Sequence, residues 1–139
     1  MLWCAIALAA LLAPAAGCGH SNQPVRAAGL GPGAPTATAW NTRDGDTDAY
    51  LVSVDDKPIP YKQVLFVHDT SQPVIVPSGV HRLEVTIDHG NRIAGVKFDF
   101  NFQAGHVYLV QHVRGRDDQV EMVDETAGRA VRIGPPGPA

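Results

Sequence analysis

Histidine is the residue type that first invites chemistry in this chain. There are six in 139 residues, and each imidazole can bind a metal ion or move a proton near neutral pH. Five of them, His68, His81, His89, His106 and His112, fall in the central part of the chain, with Asp69 and Asp88 adjacent to two of them. Spacing limits what they can do together. On an unbroken strand His106 and His112 share a face but stand about 20 Å apart, too far to hold one ion. A metal or small-ligand site would need His81 and His106, which hold equivalent positions after two glycine turns, to meet across strands. Neither a His-Glu-x-x-His motif nor a Cys/His ligand set accompanies them. The expectation is therefore that His81 and His106 begin strands and bond to loop backbone, and that His68 and His89 sit at turns.

Nucleophilic and acid–base chemistry find less support. Ser21, Ser53, Ser71 and Ser78 all lie outside any Gly-x-Ser-x-Gly elbow. Carboxylates pair at Asp55-Asp56, Asp117-Asp118 and Asp124-Glu125, in or near turn signals where acidic residues cap and solvate. These patterns predict a protein that is not an enzyme and has no cofactor, with a hydrolase built on an unrecognised site as the alternative. Among the aromatics, Phe98, Phe100 and Phe102, with Phe66, read as core before they read as a ligand slot. Trp40 and Tyr61 read as edge packing before a sugar or peptide platform.

Cys18 is the remaining reactive group. From Met1 to Gly17 there is no charged side chain, and Leu2, Trp3, Ile6, Leu8, Leu11 and Leu12 stand among alanines. That run has the length of a signal-peptide core and falls short of the roughly 20 residues that span a bilayer. It closes on Ala15-Ala16-Gly17 directly before Cys18, and so resembles the lipobox of bacterial lipoproteins. The resemblance implies that residues 1–17 are a cleaved signal peptide and that Cys18 carries a covalent lipid at the new amino terminus. With Gly19 rather than Asp following, it further implies a periplasm-facing protein anchored in the outer membrane. An ordinary secretory signal cut after Ala13-Pro14-Ala15 stays open as the other reading, and would leave Cys18 a free thiol. Cys4 lies in the segment that either reading removes, so the mature chain has one cysteine and no internal disulfide.

The positioning elements follow from period and punctuation. Residues 18–36 are dense in Gly, Pro, Ala and polar side chains without hydrophobic period, which predicts a disordered tether. Residues 134–139, rich in Gly and Pro, predict a disordered tail. Between them, residues 37–133 alternate with a period of two. Leu83, Val85 and Ile87 alternate with Arg82, Glu84, Thr86 and Asp88, and Val96, Phe98, Phe100 and Phe102 do the same in the next segment. Further strands are predicted at about 38–43, 48–55, 63–68, 73–77, 106–113, 118–124 and 129–133. The expectation is an all-β domain, an antiparallel β-sandwich of about 7–9 short strands. Gly79, Gly105 and Gly128 are assigned to structural turns, the first two because a tight turn ahead of a strand needs positive φ. The net charge of −3 is spread along the chain with no basic block, so nucleic acid is not an expected partner.

Three segments, Ser53-Val-Asp-Asp-Lys-Pro-Ile-Pro60, Val74-Ile-Val-Pro-Ser-Gly-Val-His-Arg-Leu-Glu-Val85 and Val96-Lys-Phe-Asp-Phe-Asn-Phe-Gln-Ala-Gly-His-Val-Tyr-Leu-Val110, resemble small β-sandwich lipoproteins with a PEGA-like core. The shared features are the Pro77-x-Gly79-x-His81 turn, the Ala104-Gly105-x-x-Tyr108 turn and a closing Asp124-x-x-x-Gly128-x-x-Val131 stretch, over about residues 48–132. The resemblance implies a non-catalytic module of the cell envelope, held to the membrane by its lipid and meeting an envelope protein or glycan. A periplasmic metal- or small-ligand-binding module using His81 and His106 is the alternative.

Overall fold

Alternation builds the longest ladder of the protein. In the computed structural model, which describes residues 23–134, strand β8 (Gly79–Asp88) turns Leu83, Val85 and Ile87 inward with no exposed surface. Strand β9 (Ile93–Phe102) lies antiparallel to it, with Leu83 opposite Phe98 and Val85 opposite Val96. The turn between them is closed by Asp88, whose Oδ1 accepts from the Gly90 amide at 2.7 Å. On the other side of β8 lies β3 (Thr47–Val54), again antiparallel, with a bulge between Leu51 and Ser53. The two-residue strand β4 (Lys57–Pro58) folds back on β3 through Asp55 and Asp56, both at positive φ (52° and 63°).

Strand β2 (Thr36–Asp44) joins this half of the protein to the other. Its last residues, 42–44, pair antiparallel with β3, while residues 36–39 pair antiparallel with β7 (Val74–Pro77). Residues 38–41 pair in parallel with β10 (Val107–Val113). β11 (Arg116–Asp124) and β12 (Arg129–Ile133) continue from β10 as antiparallel neighbours. The spatial order is β12-β11-β10-β2-β3-β8-β9, and the ends curl so that β8 and β9 come against β11. Small residues where β2 crosses (Ala37, Ala39) let the two halves approach, and Leu51, Val74, Val76, Phe102, Tyr108, Val110, Val120 and Met122 fill the interior.

The all-β expectation holds, with twelve strands among the described residues. The expected all-antiparallel sandwich does not: the main sheet is mixed and nearly closed, like a barrel. Alternation fixes which face of a strand is buried and carries no information on the direction of its neighbour, so the parallel β2–β10 pair is invisible to it. The expected 63–68 strand is instead a miniature hairpin, β5 (Gln63–Val64) and β6 (Val67–His68).

The expected tether 18–36 is also corrected in its described part. Val25 and Arg26 form β1, parallel to β7 with Val25 opposite Val74, and Ala27 is buried at 4% exposure. Two backbone bonds, Val25 amide to Pro73 carbonyl (2.8 Å) and Ala27 amide to Ile75 carbonyl (2.9 Å), supply what so short a segment lacks in hydrophobic period. The signal segment 1–17, Cys18 and the tail beyond 134 lie outside the described residues.

Candidate functional site

Where β2 parts from β3, a backbone ladder is interrupted and side chains replace it. The Leu51 amide donates to Asn41 Oδ1 at 2.8 Å, and the Leu51 carbonyl accepts from the Tyr61 hydroxyl at 2.6 Å. Asn41 Nδ2 spends its two hydrogens on the Tyr61 oxygen (2.8 Å) and the Thr70 carbonyl (2.9 Å). Every polar atom of the Asn41 side chain is thereby satisfied in a part-buried place where an unpaired group would be costly. Burial pushes the Tyr61 hydroxyl pKa far above its ordinary value, so it remains a donor throughout the range of a folded protein.

This network pins both ends of the segment that connects β4 to β7 and projects its middle outward. The Asp69 amide bonds to the Lys62 carbonyl at 2.7 Å, closing the base of the β5–β6 hairpin. Gln72 is 5% exposed and ties that base to the start of the described chain. Its Oε1 accepts from the Lys62 amide (2.9 Å) and its Nε2 donates to the Gln23 carbonyl (3.1 Å).

At the tip of the hairpin, Leu65 and Phe66 hold φ of 48° and 71°. A two-residue hairpin turn with both centres at positive φ matches the twist of its strands, and Asn-Gly or Asp-Gly is its preferred sequence. Here two bulky apolar residues occupy it. Leu65 is 86% and Phe66 100% exposed, and Val64 and Val67 beside them are exposed too. Each choice costs stability, one through backbone strain and the other through hydration of apolar surface. A cleft lies on each side. One, of about 470 Å³, includes Asn41, Arg43, Asp48, Val64, His68 and Ser71; the other, of about 510 Å³, includes Tyr50, Val52, Pro58, Ile59, Phe66 and Thr86.

The histidines are distributed rather than gathered. His81 Nδ1 lies 2.6 Å from Asp55 Oδ2, and its Nε2 lies 2.9 Å from the Ser78 carbonyl. Both partners are acceptors, so the ring satisfies them together only as the imidazolium. Partial burial opposes that charge, but the Ser78 carbonyl and Asp55 outweigh it and the His81 pKa is raised. Asp55 answers in the opposite sense: desolvation is overcome by His81 and by the Arg82 amide at 3.0 Å, and its pKa is lowered. His106 Nδ1 sits 2.8 Å from Asp124 Oδ2, and Asp124 Oδ1 accepts from the Ala127 amide. The carboxyl of Asp124 is also held low, its desolvation outweighed by the bond from His106 and the Ala127 amide. His81 and His106 thus each engage their own aspartate rather than a common centre, and no three His, Cys, Asp or Glu converge on a metal position among the described residues. His89 Nδ1 bonds Thr47 Oγ1 (2.8 Å), its Nε2 lies 3.3 Å from Asp117, and its ring meets His112 edge-on.

These contacts are architectural in their local effect. Asp55 staples the β3–β4 turn to the start of β8, and Asp124 closes the turn into β12, where the Gly128 amide also reaches the Asp124 carbonyl. Gly79, Gly105 and Gly128 adopt φ of 95°, 79° and 69°. The leading carboxylates of the three acidic pairs, Asp55, Asp117 and Asp124, are each engaged by a histidine, and two are held low, which suits ion pairing and not proton donation.

The aromatic expectations divide. Phe98 and Phe102 are buried, and partly buried Phe100 packs against the core, edge-on to Phe102 and Tyr108. Phe66 shares none of this and stands alone in solvent. Tyr61 is buried with its hydroxyl on Leu51 and half-buried Trp40 stays apart from it, so no exposed Trp40–Tyr61 platform forms. Sequence reasoning misses Asn41 and the Leu65–Phe66 tip. Asn41 carries a signal, being an amide in the middle of a strand pattern where such residues are depleted. Val64-Leu-Phe-Val67 carries a misleading one, since an unbroken apolar run reads as buried strand. Comparison with protein-family models, with curated proteins and with solved structures finds no match to this chain.

Proposed function

We propose that the chain is a lipid-anchored, non-catalytic module of the bacterial cell envelope, attached through Cys18 to the outer membrane and facing the periplasm. The lipobox-like run before Cys18 and the PEGA-like turns support this reading. The observation that carries it is the uncharged run that closes on Ala15-Ala16-Gly17 directly before Cys18; the docking of residues 23–27, with β1 paired to β7 and Gln72 holding the Gln23 carbonyl, adds a short distance between anchor and domain. Gln23 follows Cys18 by five residues, a reach of at most about 17 Å when fully extended. An acylated Cys18 would therefore hold this domain against the bilayer surface, where a long tether would let it range. More than one acyl chain, at about 0.8 kcal/mol per buried methylene, makes such an anchor stable.

Metabolic labelling with a palmitate analogue tests the reading. Label enters the wild-type protein and is absent from Cys18→Ala, which also leaves the membrane fraction; a wild-type protein that takes up no label contradicts it.

A further inference from the structure

We propose that the β5–β6 hairpin is a second membrane contact, its Leu65–Phe66 tip inserting into the same bilayer that holds the acyl chains. The inference rests on the lipid-anchor reading and adds to it an orientation and a pair of inserting side chains.

Direction is the first argument. β1 runs parallel to β7, with Val25 opposite Val74 and Arg26 opposite Ile75. The described chain therefore enters β1 at Gln23 from the side from which residues 69–72 arrive, which is the base of the hairpin. Gln72 makes the coincidence concrete, since one side chain holds both the Gln23 carbonyl and the Lys62 amide. From that base the hairpin extends three residues to its tip, about 10 Å at strand rise, while the chain from Gln23 back to Cys18 reaches at most about 17 Å. A lipid-bearing Cys18 and the tip thus address the same surface, and a headgroup layer only about 5–8 Å deep separates that surface from hydrocarbon.

Composition is the second argument. Gln63 to His68 includes no Asp, Glu, Lys or Arg, and the two residues at its apex are the most exposed large apolar side chains among the described residues. Leu65 and Phe66 take up φ values that favour Asn and Gly, so the turn is strained to present them. Lys62 at the base is exposed, with Asp69 beside it, and Arg43, Asp48 and Asp88 line the flanking clefts. The surroundings of the hairpin are net acidic, so electrostatics does not draw it to an anionic bilayer and the attraction is apolar.

The test uses the full lipidated chain, purified and reconstituted in vesicles of phosphatidylethanolamine and phosphatidylglycerol, with Phe66→Trp in a Trp40→Phe background. The expected result is a blue-shifted emission that loses at least half its intensity to lipids brominated in the acyl chain and is not weakened by added salt. Leu65→Asn/Phe66→Gly keeps the hairpin in its preferred turn; a tryptophan placed at Val64 in that background loses the blue shift. Failure can be assigned. Absent acyl label on Cys18 overturns the anchor reading and this inference together. A labelled protein in which the Phe66→Trp indole stays unquenched overturns the inference alone and leaves a protein as the occupant of the tip.

Discussion

Tyr61→Phe removes one oxygen from the point where β2 and β3 separate. The ring still fills its buried place, so no cavity forms. What is lost is the donor to the Leu51 carbonyl at 2.6 Å and the acceptor for Asn41 Nδ2 at 2.8 Å. Leu51 has no exposed surface and Tyr61 only 8%, so water cannot reach the Leu51 carbonyl without opening the fold, whereas part-buried Asn41 borders a cleft from which it can be hydrated. An unsatisfied buried group costs about 1–3 kcal/mol. Only the carbonyl is left without a partner, which puts the expected destabilisation at about 2 kcal/mol. For a domain of this size that lowers the melting temperature by about 10 °C. Urea unfolding followed by far-ultraviolet circular dichroism measures it, and amide exchange across residues 59–72 rises in parallel because the segment loses its inner pin. A change below about 0.5 kcal/mol, the scale of an uninvolved surface substitution, refutes the claim that side chains close the gap between these strands.

Other outcomes follow from the same geometry. The His81–Asp55 pair stabilises the fold above the ordinary Asp pKa and below the raised His81 value. Its contribution on the histidine side is complete below about pH 6.5 and is lost as pH rises through the folded pKa. Against wild type, His81→Gln therefore flattens the fall of stability that begins above about pH 6.5; an unchanged slope contradicts the imidazolium assignment. Gly105 has φ of 79° and open space where a methyl group would stand, so Gly105→Ala costs only backbone strain, about 1–2 kcal/mol in thermal or urea unfolding. Gly105→Asn costs less, because Asn tolerates that conformation. Leu65→Asn/Phe66→Gly raises stability in solution by about 1 kcal/mol by relieving the turn, and a loss on denaturation shows that the tip is not strained.

Legibility in the sequence follows the physics of each signal. β8 and β9 are readable from Leu83, Val85, Ile87, Phe98 and Phe102 because one buried face forces a period of two. Gly79 and Gly105 are placed at turns for a related local reason: positive φ excludes most side chains ahead of a strand. Non-local choices leave no such trace. That β10 lies parallel to β2, or that β1 is held by β7, depends on partners far along the chain, and two residues of β1 are too few for a pattern. Leu65 and Phe66 escape because turn residues are recognised by Gly, Asn, Asp and Pro, and this turn uses none of them. A position chosen against local preference is where sequence rules fail and a functional demand is expected. His81 and His106 are legible as lying near strand starts, two residues into β8 and one residue ahead of β10, while their aspartate partners, separated from them by 26 and 18 residues, are not.

If the anchored domain turns its hairpin to the bilayer, the depth of a spin label at the tip reads it. With Cys18 acylated, a nitroxide attached to Phe66→Cys is the sole label, and Val131→Cys provides an exposed site on β12. In lipidated protein on vesicles, the label at 66 is expected to relax with oxygen and to be shielded from a water-soluble nickel chelate, with the reverse at 131. Equal access of the chelate to both positions contradicts it.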